Sequence, residues 1–183
     1  ERQTAEAAME QLGGKLRAQV KRANREAASV RVGGSSLLDD FYQVFCHNMR
    51  DLGTPVYARR FFQAIFDRFP DKCLIAVVDR AGVPAAAAFL VISNRRAEIP
   101  WAACRADAKP LGFNMRLYWE VLVAVLERGC TGVDFGRSTV DSGTYTCTKQ
   151  WGARPVQLYW HRWERDRRQG SNTEAVYEGG LMR

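Results

Sequence analysis

Three runs of strand-forming residues, at 73–78, 85–92 and 98–104, follow one another with no helical pattern between them, and this succession restricts the fold more than any other feature. The connectors, Asp79-Arg80-Ala81-Gly82 and Ser93-Asn94-Arg95-Arg96, are short enough for hairpins, so the three strands are expected to be antiparallel neighbours. Helical patterns lie on both sides. Ser35 or Ser36 is placed to cap a helix carrying Leu38, Phe41, Tyr42, Phe45 and Met49, and a second helix follows Pro55 with Phe61, Phe62, Ile65, Phe66 and Phe69. Aromatics at this spacing read as core packing rather than as a cofactor box. Downstream, a helix runs from Gly112 to about residue 128 with Leu117, Val121, Leu122, Val125 and Leu126 as its apolar stripe, and Gly129 closes it. A strand at 131–135, a short helix at 145–151 and a last strand at 156–163 complete the order. Such an alternation predicts a layered α/β (α+β) domain, a mixed central sheet flanked by helices rather than a uniform doubly wound sheet.

A chain of 183 residues, 46% of them hydrophobic, suits one such core. Residues 1–28 read as basic connecting helices broken at Gly13-Gly14; in the second piece Leu16, Val20 and the stretch Ala23 to Ala27 face the core, while Arg17, Lys21 and Arg25 recur along one face, read as solvated rather than as a ligand contact. Val30-Arg31-Val32 reads as a short strand. The domain itself is expected over 29–163, with a polar tail at 164–183 that has little to bury. Both ends read as cut from a longer protein, since the chain opens on Glu1 inside a helical pattern and stops at 179–183 without a clear element. No apolar run approaches the roughly 20 residues of a membrane span and no signal-peptide pattern opens the chain, so a soluble, cytoplasmic protein is expected.

Cys46, Cys73, Cys104, Cys130 and Cys147 are odd in number, widely spaced and mostly set among apolar neighbours. They suggest neither a disulfide framework nor a zinc site, and His47 and His161 form no ligand pair with them, so no metal is expected. A net charge of +7 favours an acidic partner: a nucleotide, a tRNA, an anionic lipid carrier or a polyanionic glycan. No aromatic-interleaved basic stretch supports sequence-specific nucleic-acid recognition.

The chemistry-bearing segment is 133–152. A buried-looking strand ends on Asp134, passes through Phe135-Gly136-Arg137-Ser138 and Gly143-Thr144, and reaches Lys149-Gln150-Trp151-Gly152. Donor-rich loops at strand ends are how sites for phosphate- or acyl-bearing ligands are built. Arg137 suits bidentate binding of phosphate or carboxylate, or else pairs structurally with Asp134 or Asp141. Asp134 is a general base, an orienter of Arg137, or, as such strand ends more often are, a holder of the loop. Ser138 and Thr144 donate to phosphate or, as is commoner, cap the helix beginning near Gly143. Asn114 and Tyr118 position an acceptor, or Asn114 simply starts its helix. Trp101 and Trp151 read as core. Cys104 at a strand end tempts a nucleophile reading, but neither His is placed as its base.

This element order, with Asn114-Met115-Arg116-Leu117-Tyr118-Trp119, Asp134-Phe135-Gly136-Arg137-Ser138, Gly143-Thr144 and Lys149-Gln150-Trp151-Gly152, resembles the C-terminal half of FemAB proteins, in the GNAT-like acyltransferase superfamily. The resemblance runs from about Leu16 to about Trp163 and is nearest to the FemAB-related proteins of PEP-CTERM/exosortase exopolysaccharide loci. It implies a GNAT-like acyl-CoA N-acyltransferase fold, a missing N-terminal GNAT-like half, and acyl or aminoacyl transfer to a peptidoglycan or exopolysaccharide precursor, at the inner membrane face. It further implies a glycan- or lipid-linked acceptor, no tightly bound cofactor, and acyl-CoA or aminoacyl-tRNA as donor substrate. Lys149 matches the family's lysine beside the reacting centre. Two departures bear on the donor: the long helical arm some members use for tRNA is not recognisable, and Thr148 stands where the family often has an aromatic.

Two other readings compete. A coenzyme A-dependent N-acyltransferase needs backbone donors at a strand–turn–helix junction to cradle the pyrophosphate, and the Gln/Arg-x-x-Gly-x-Gly/Ala signature is absent. A non-catalytic binding module would use the same fold to hold an anionic glycan or lipid carrier. Asp-Phe-Gly also occurs in protein kinases, but no His-Arg-Asp loop or glycine-rich phosphate loop accompanies it here.

Overall fold

The computed structural model describes residues 4–159, 161 and 163 and the backbone of 180–182. It comprises two units, 1–134 and 135–183. The polar tail expected at 164–183 lies outside the described residues except for 180–182.

The first unit is built on a five-stranded sheet ordered β1-β2-β3-β4-β5. Its strands are β1 (Ala28–Gly33), β2 (Cys73–Arg80), β3 (Val83–Ser93), β4 (Arg96–Cys104) and β5 (Gly132–Asp134). The first four are antiparallel and β5 runs parallel to β4, which makes the sheet mixed. The hairpins are as expected and tighter: their two-residue turns are Ala81-Gly82 and Asn94-Arg95, all four residues at positive φ, as turns that match strand twist require.

Both faces of β2 and β3 are buried, hence the unbroken apolar runs. One face carries Ile75, Val77, Ala87, Phe89 and Ala103 and packs on helices α3 (Leu38–Asp51) and α4 (Arg59–Arg68). Phe62 is wholly buried there, its ring 5.1 to 5.8 Å from those of Phe41, Phe45, Phe89 and Trp101. The alternate residues, Ala76, Ala86 and Ala88 among them, are small and fully buried, and α5 (Phe113–Glu127) packs on the sheet. Helices α1 (Ala5–Gln11) and α2 (Gly14–Arg22) are separated at Gly13 as anticipated, and α2 packs on α5 through buried Leu16 and Val20.

One expectation needs correction, and one feature is new. Neither Ser35 nor Ser36 caps α3: Ser35–Leu37 is a 3-10 turn and Leu37 occupies the N-cap. An ion network also went unseen. Arg31 on β1 grips buried Asp79 with two hydrogen bonds of 2.8 and 2.7 Å and reaches Asp40 of α3 at 2.6 Å, tying three elements together and raising the guanidinium pKa.

The second unit holds a three-stranded antiparallel sheet ordered β6 (Arg137–Ser138), β8 (Gly180–Met182), β7 (Pro155–Gln157), and helix α6 (Gly143–Lys149). The last predicted strand is confined to Pro155–Gln157 among the described residues, and 180–182 add a strand where no clear element was expected.

Candidate functional site

The strand pairing of the first unit leaves part of β4 without a neighbour on one side among the described residues. Val91 pairs with Glu98 and Phe89 with Trp101, so Leu90 opposes both Ile99 and Pro100. That β-bulge re-aims the strand, and Pro100, lacking an N–H, sits where the ladder is already broken. β5 stops at Asp134, opposite Glu98. Beyond it, β4 has β3 on one side only among the described residues. The Arg105 N–H donates to the Ala85 carbonyl at 2.9 Å, so by alternation the peptide groups of Ala102 and Cys104 face the other, unladdered edge. An edge of this kind can pair with the extended amide chain of a ligand. It lies beyond the carboxyl end of β5, on the side of the sheet's strand ends where ligands of α/β sheets collect.

Cys104 stands at this end of β4. Burial pushes its thiol up to about 12, so it is protonated and inert as a nucleophile, with the Asn114 backbone N–H directed at its sulfur. The linkage has a sign. A native pKa above the ordinary 9.0 means the unfolded chain loses its proton first, so the stability is complete below pH 9 and falls as pH rises toward about 12. Urea midpoints measured from about pH 8 to 10.5 should therefore drop more steeply in the parent than in Cys104→Ala; parallel curves would refute this.

The predicted site residues divide between the units. Asp134, half-buried, ends β5 of the first. Asn114 lies in the first turn of α5, half-buried, and Tyr118 is buried one turn on. Arg137, Ser138, Thr144 and Lys149 belong to the second. Arg137 is exposed on β6, while Ser138 beside it is 4% exposed and its hydroxyl has no hydrogen-bond partner among the described residues. Neither Ser138 nor Thr144 caps α6: the Ser142 hydroxyl accepts from the Tyr145 N–H at 3.1 Å. Thr144 is exposed, and its carbonyl accepts from the fully buried Thr148 hydroxyl. Lys149 ends α6, exposed, its ammonium 5.9 Å from the Tyr145 ring centroid.

The two glycines of the motif have a backbone explanation. Gly136, between β5 and β6, and Gly152, just after α6, both have positive φ (77° and 80°). Lys149-Gln150-Trp151-Gly152 is thus a helix end with a left-handed stop, Gly152 donating to the Lys149 carbonyl at 3.1 Å. Trp101 packs against the aromatic core as expected. Among the described residues no group of three His, Cys, Asp or Glu is placed to hold a metal ion, and no helix is long and apolar enough to cross a membrane.

Residues 14–145, which carry the whole five-stranded sheet and α5, match the family described as the acetyltransferase (GNAT) domain. The chain belongs to the GNAT family. It is thereby placed among acyltransferases, with the mixed five-stranded sheet expected of them. Solved GNAT-like structures share this architecture. FemX superposes with a TM-score of 0.70 at 12% identity, covering 82% of this chain and 56% of its own. The ribosomal-protein-S18-alanine N-acetyltransferase from Escherichia coli gives 0.63 at 12% identity, covering 85% and 90%. AAC(6')-Iy, solved with the bisubstrate analogue CoA-S-monomethyl-acetylneamine, gives 0.61 at 13% identity, covering 76% and 99%. At such identities the likeness is one of fold, and the chain spans little more than half the length of FemX. Among curated proteins no sequence matches this chain.

A GNAT domain that binds coenzyme A needs free N–H groups where β4 turns into α5. Here those of Ala108, Lys109, Leu111, Gly112 and Phe113 all donate to carbonyls inside the turn. With these five amides engaged inside the turn, the junction keeps few donors for a pyrophosphate, and no catalytic step is assigned to one.

Proposed function

We propose that this GNAT domain transfers an acyl or aminoacyl group to an amine or hydroxyl of a peptidoglycan or exopolysaccharide precursor, in the manner of FemAB proteins. The observation that carries this reading is the unladdered edge of β4 beyond Glu98, a place for an extended, amide-bearing substrate. The FemX-like shape and the net charge of +7, suited to an anionic glycan- or lipid-linked acceptor, support it. The coenzyme A-bound relative keeps a thioester donor in view beside an aminoacyl ester. Because the chain spans 56% of FemX, we assign the acceptor groove in part to a preceding GNAT-like half, with 1–28 as the connection, 29–163 as the transferase domain and 164–183 as an appended tail.

In the reaction the acceptor nitrogen attacks the acyl carbonyl carbon and a C–N bond forms. The C–O or C–S bond to the donor breaks, and the proton released by the amine ends on the departing oxygen or sulfur. Lys149, by the resemblance to FemAB proteins, is given the task of neutralising negative charge on the acyl oxygen or leaving group, and Asp134 that of taking the amine proton and passing it to the departing atom. Arg137, with Ser138 and Thr144, holds an anionic group of the donor, while Asn114 and Tyr118 orient the acceptor.

Transfer from aminoacyl-tRNA and from acetyl-CoA to an amine-bearing precursor tests the assignment. Lys149→Ala is expected to lower kcat about 100-fold, within the range for losing one donor to a developing oxyanion, with KM changed less than about threefold. An unchanged kcat would remove Lys149 from the chemistry.

A further inference from the structure

The junction between β4 and α5 holds more than a spent set of amides. Gly112, the N-cap of α5, has φ +89°, and a Cβ built on it would lie 2.6 Å from the Gln19 carbonyl oxygen, 3.3 Å from Arg22 Cβ and 3.5 Å from the Ala23 nitrogen. A glycine that elsewhere lets a phosphate approach a helix start is used here to let the protein's own α2 approach. The contact is made by the last turn of α2, just before the chain tightens into a 3-10 turn at Ala23–Glu26, at the end of the helix that carries the negative pole of its dipole. This end stands against the positive N-terminal end of α5, where a diphosphate would have to bind.

Other observations point the same way. The Arg116 guanidinium, one turn into α5, donates to the Asn24 side chain at 2.7 Å, fastening the segment after α2 to α5. Leu16, Val20 and Ala23 are 5%, 1% and 0% exposed, so swinging α2 aside would strip the core of three apolar side chains. In the turn itself the Arg105 guanidinium is taken up by Asp107 at 3.1 Å, which keeps that carboxyl below its ordinary pKa and leaves Arg105 less free to meet a diphosphate. We infer that α2 permanently occupies the place of a coenzyme A diphosphate, and that this domain holds its acyl donor with no diphosphate seated at the start of α5.

The inference rests on GNAT membership and the α2–α5 contact, not on the roles given to Lys149 or Asp134. It is tested by titrating the ¹⁵N-labelled chain with acetyl-CoA and, in parallel, with S-acetylpantetheine, which lacks the diphosphate and the nucleotide. Salt of about 0.3 M suppresses non-specific attraction to a basic protein. The expected result is that amide resonances of 105–116 stay in place with both ligands, and that any saturable affinities agree within about threefold; absence of binding by both is the limiting form of that result. Shifts concentrated at 105–116 with acetyl-CoA alone, or an affinity for it about 100-fold above that for S-acetylpantetheine, would overturn the inference. Either would leave acyl transfer itself standing, whereas an inactive protein with silent junction amides would count against the transferase reading and not against the closed junction.

Discussion

Phe62→Ala should cost this protein about 3–5 kcal/mol, the range for deleting a large aromatic from a core that cannot collapse around the gap. Phe62 has no exposed surface, and its ring meets those of Phe41, Tyr42, Phe45, Tyr57, Phe61, Phe89 and Trp101 at 5.1 to 6.4 Å. Those rings come from α3, from the segment before α4, from α4 itself, and from β3 and β4. No one of these elements can move into the cavity without leaving another. Urea unfolding measures the loss; Phe62→Leu, which keeps most of the volume, should lose no more than about 1.5 kcal/mol. Equal losses for the two substitutions would mean that the apolar volume Leu restores is worth nothing here and that only the aromatic ring's own contacts stabilise the site.

Gly112→Ala is expected to destabilise by about 2–4 kcal/mol, from two separable causes. Left-handed backbone costs an L-residue about 1–2 kcal/mol anywhere. Here the added methyl also meets a backbone carbonyl at 2.6 Å, which cannot rotate away as a flexible side chain could. Gly53 supplies the control, since its φ is also left-handed (+65°) but nothing lies within 4 Å of its Cβ position. Gly53→Ala should therefore show the backbone cost alone. If both variants lost the same amount, α2 would not be pressed against α5 and the closed junction would lose its footing.

How much was legible beforehand depends on how far apart the responsible residues lie. The hairpins at 81–82 and 94–95 could be read because turn length and strand period are local. The stripe of α5 was readable for the same reason, as were the motif glycines at 136 and 152. The α3 start misled because Ser35 and Ser36 are good caps in isolation, whereas the chain tightens into a 3-10 turn that buries Leu37. Arg31 looked like a strand residue among valines, and its partner Asp79 is 48 positions away, in a stretch that reads simply as the approach to a turn. Strand β8 has only three residues, one of them glycine, too few for a period to show.

The candidate site follows the same division. Lys149, Arg137 and Asp134 stood out because charged and donor groups concentrated after a strand form a pattern visible in one dimension. Pro100 gave no such signal, yet it sits in a bulge of β4 that can be recognised only once Leu90 is seen to oppose two residues. The sequence by itself determined the order of elements from α3 to β5 and the placement of charge after β5, since each depends on residues within a turn or two of one another. Only the tertiary structure decided that the β4–β5 pairing ends at Glu98 and that α2 packs closely on Gly112 at the start of α5. Both depend on backbone groups meeting across long loops, and a backbone carbonyl such as that of Gln19 leaves no trace in the identity of its side chain.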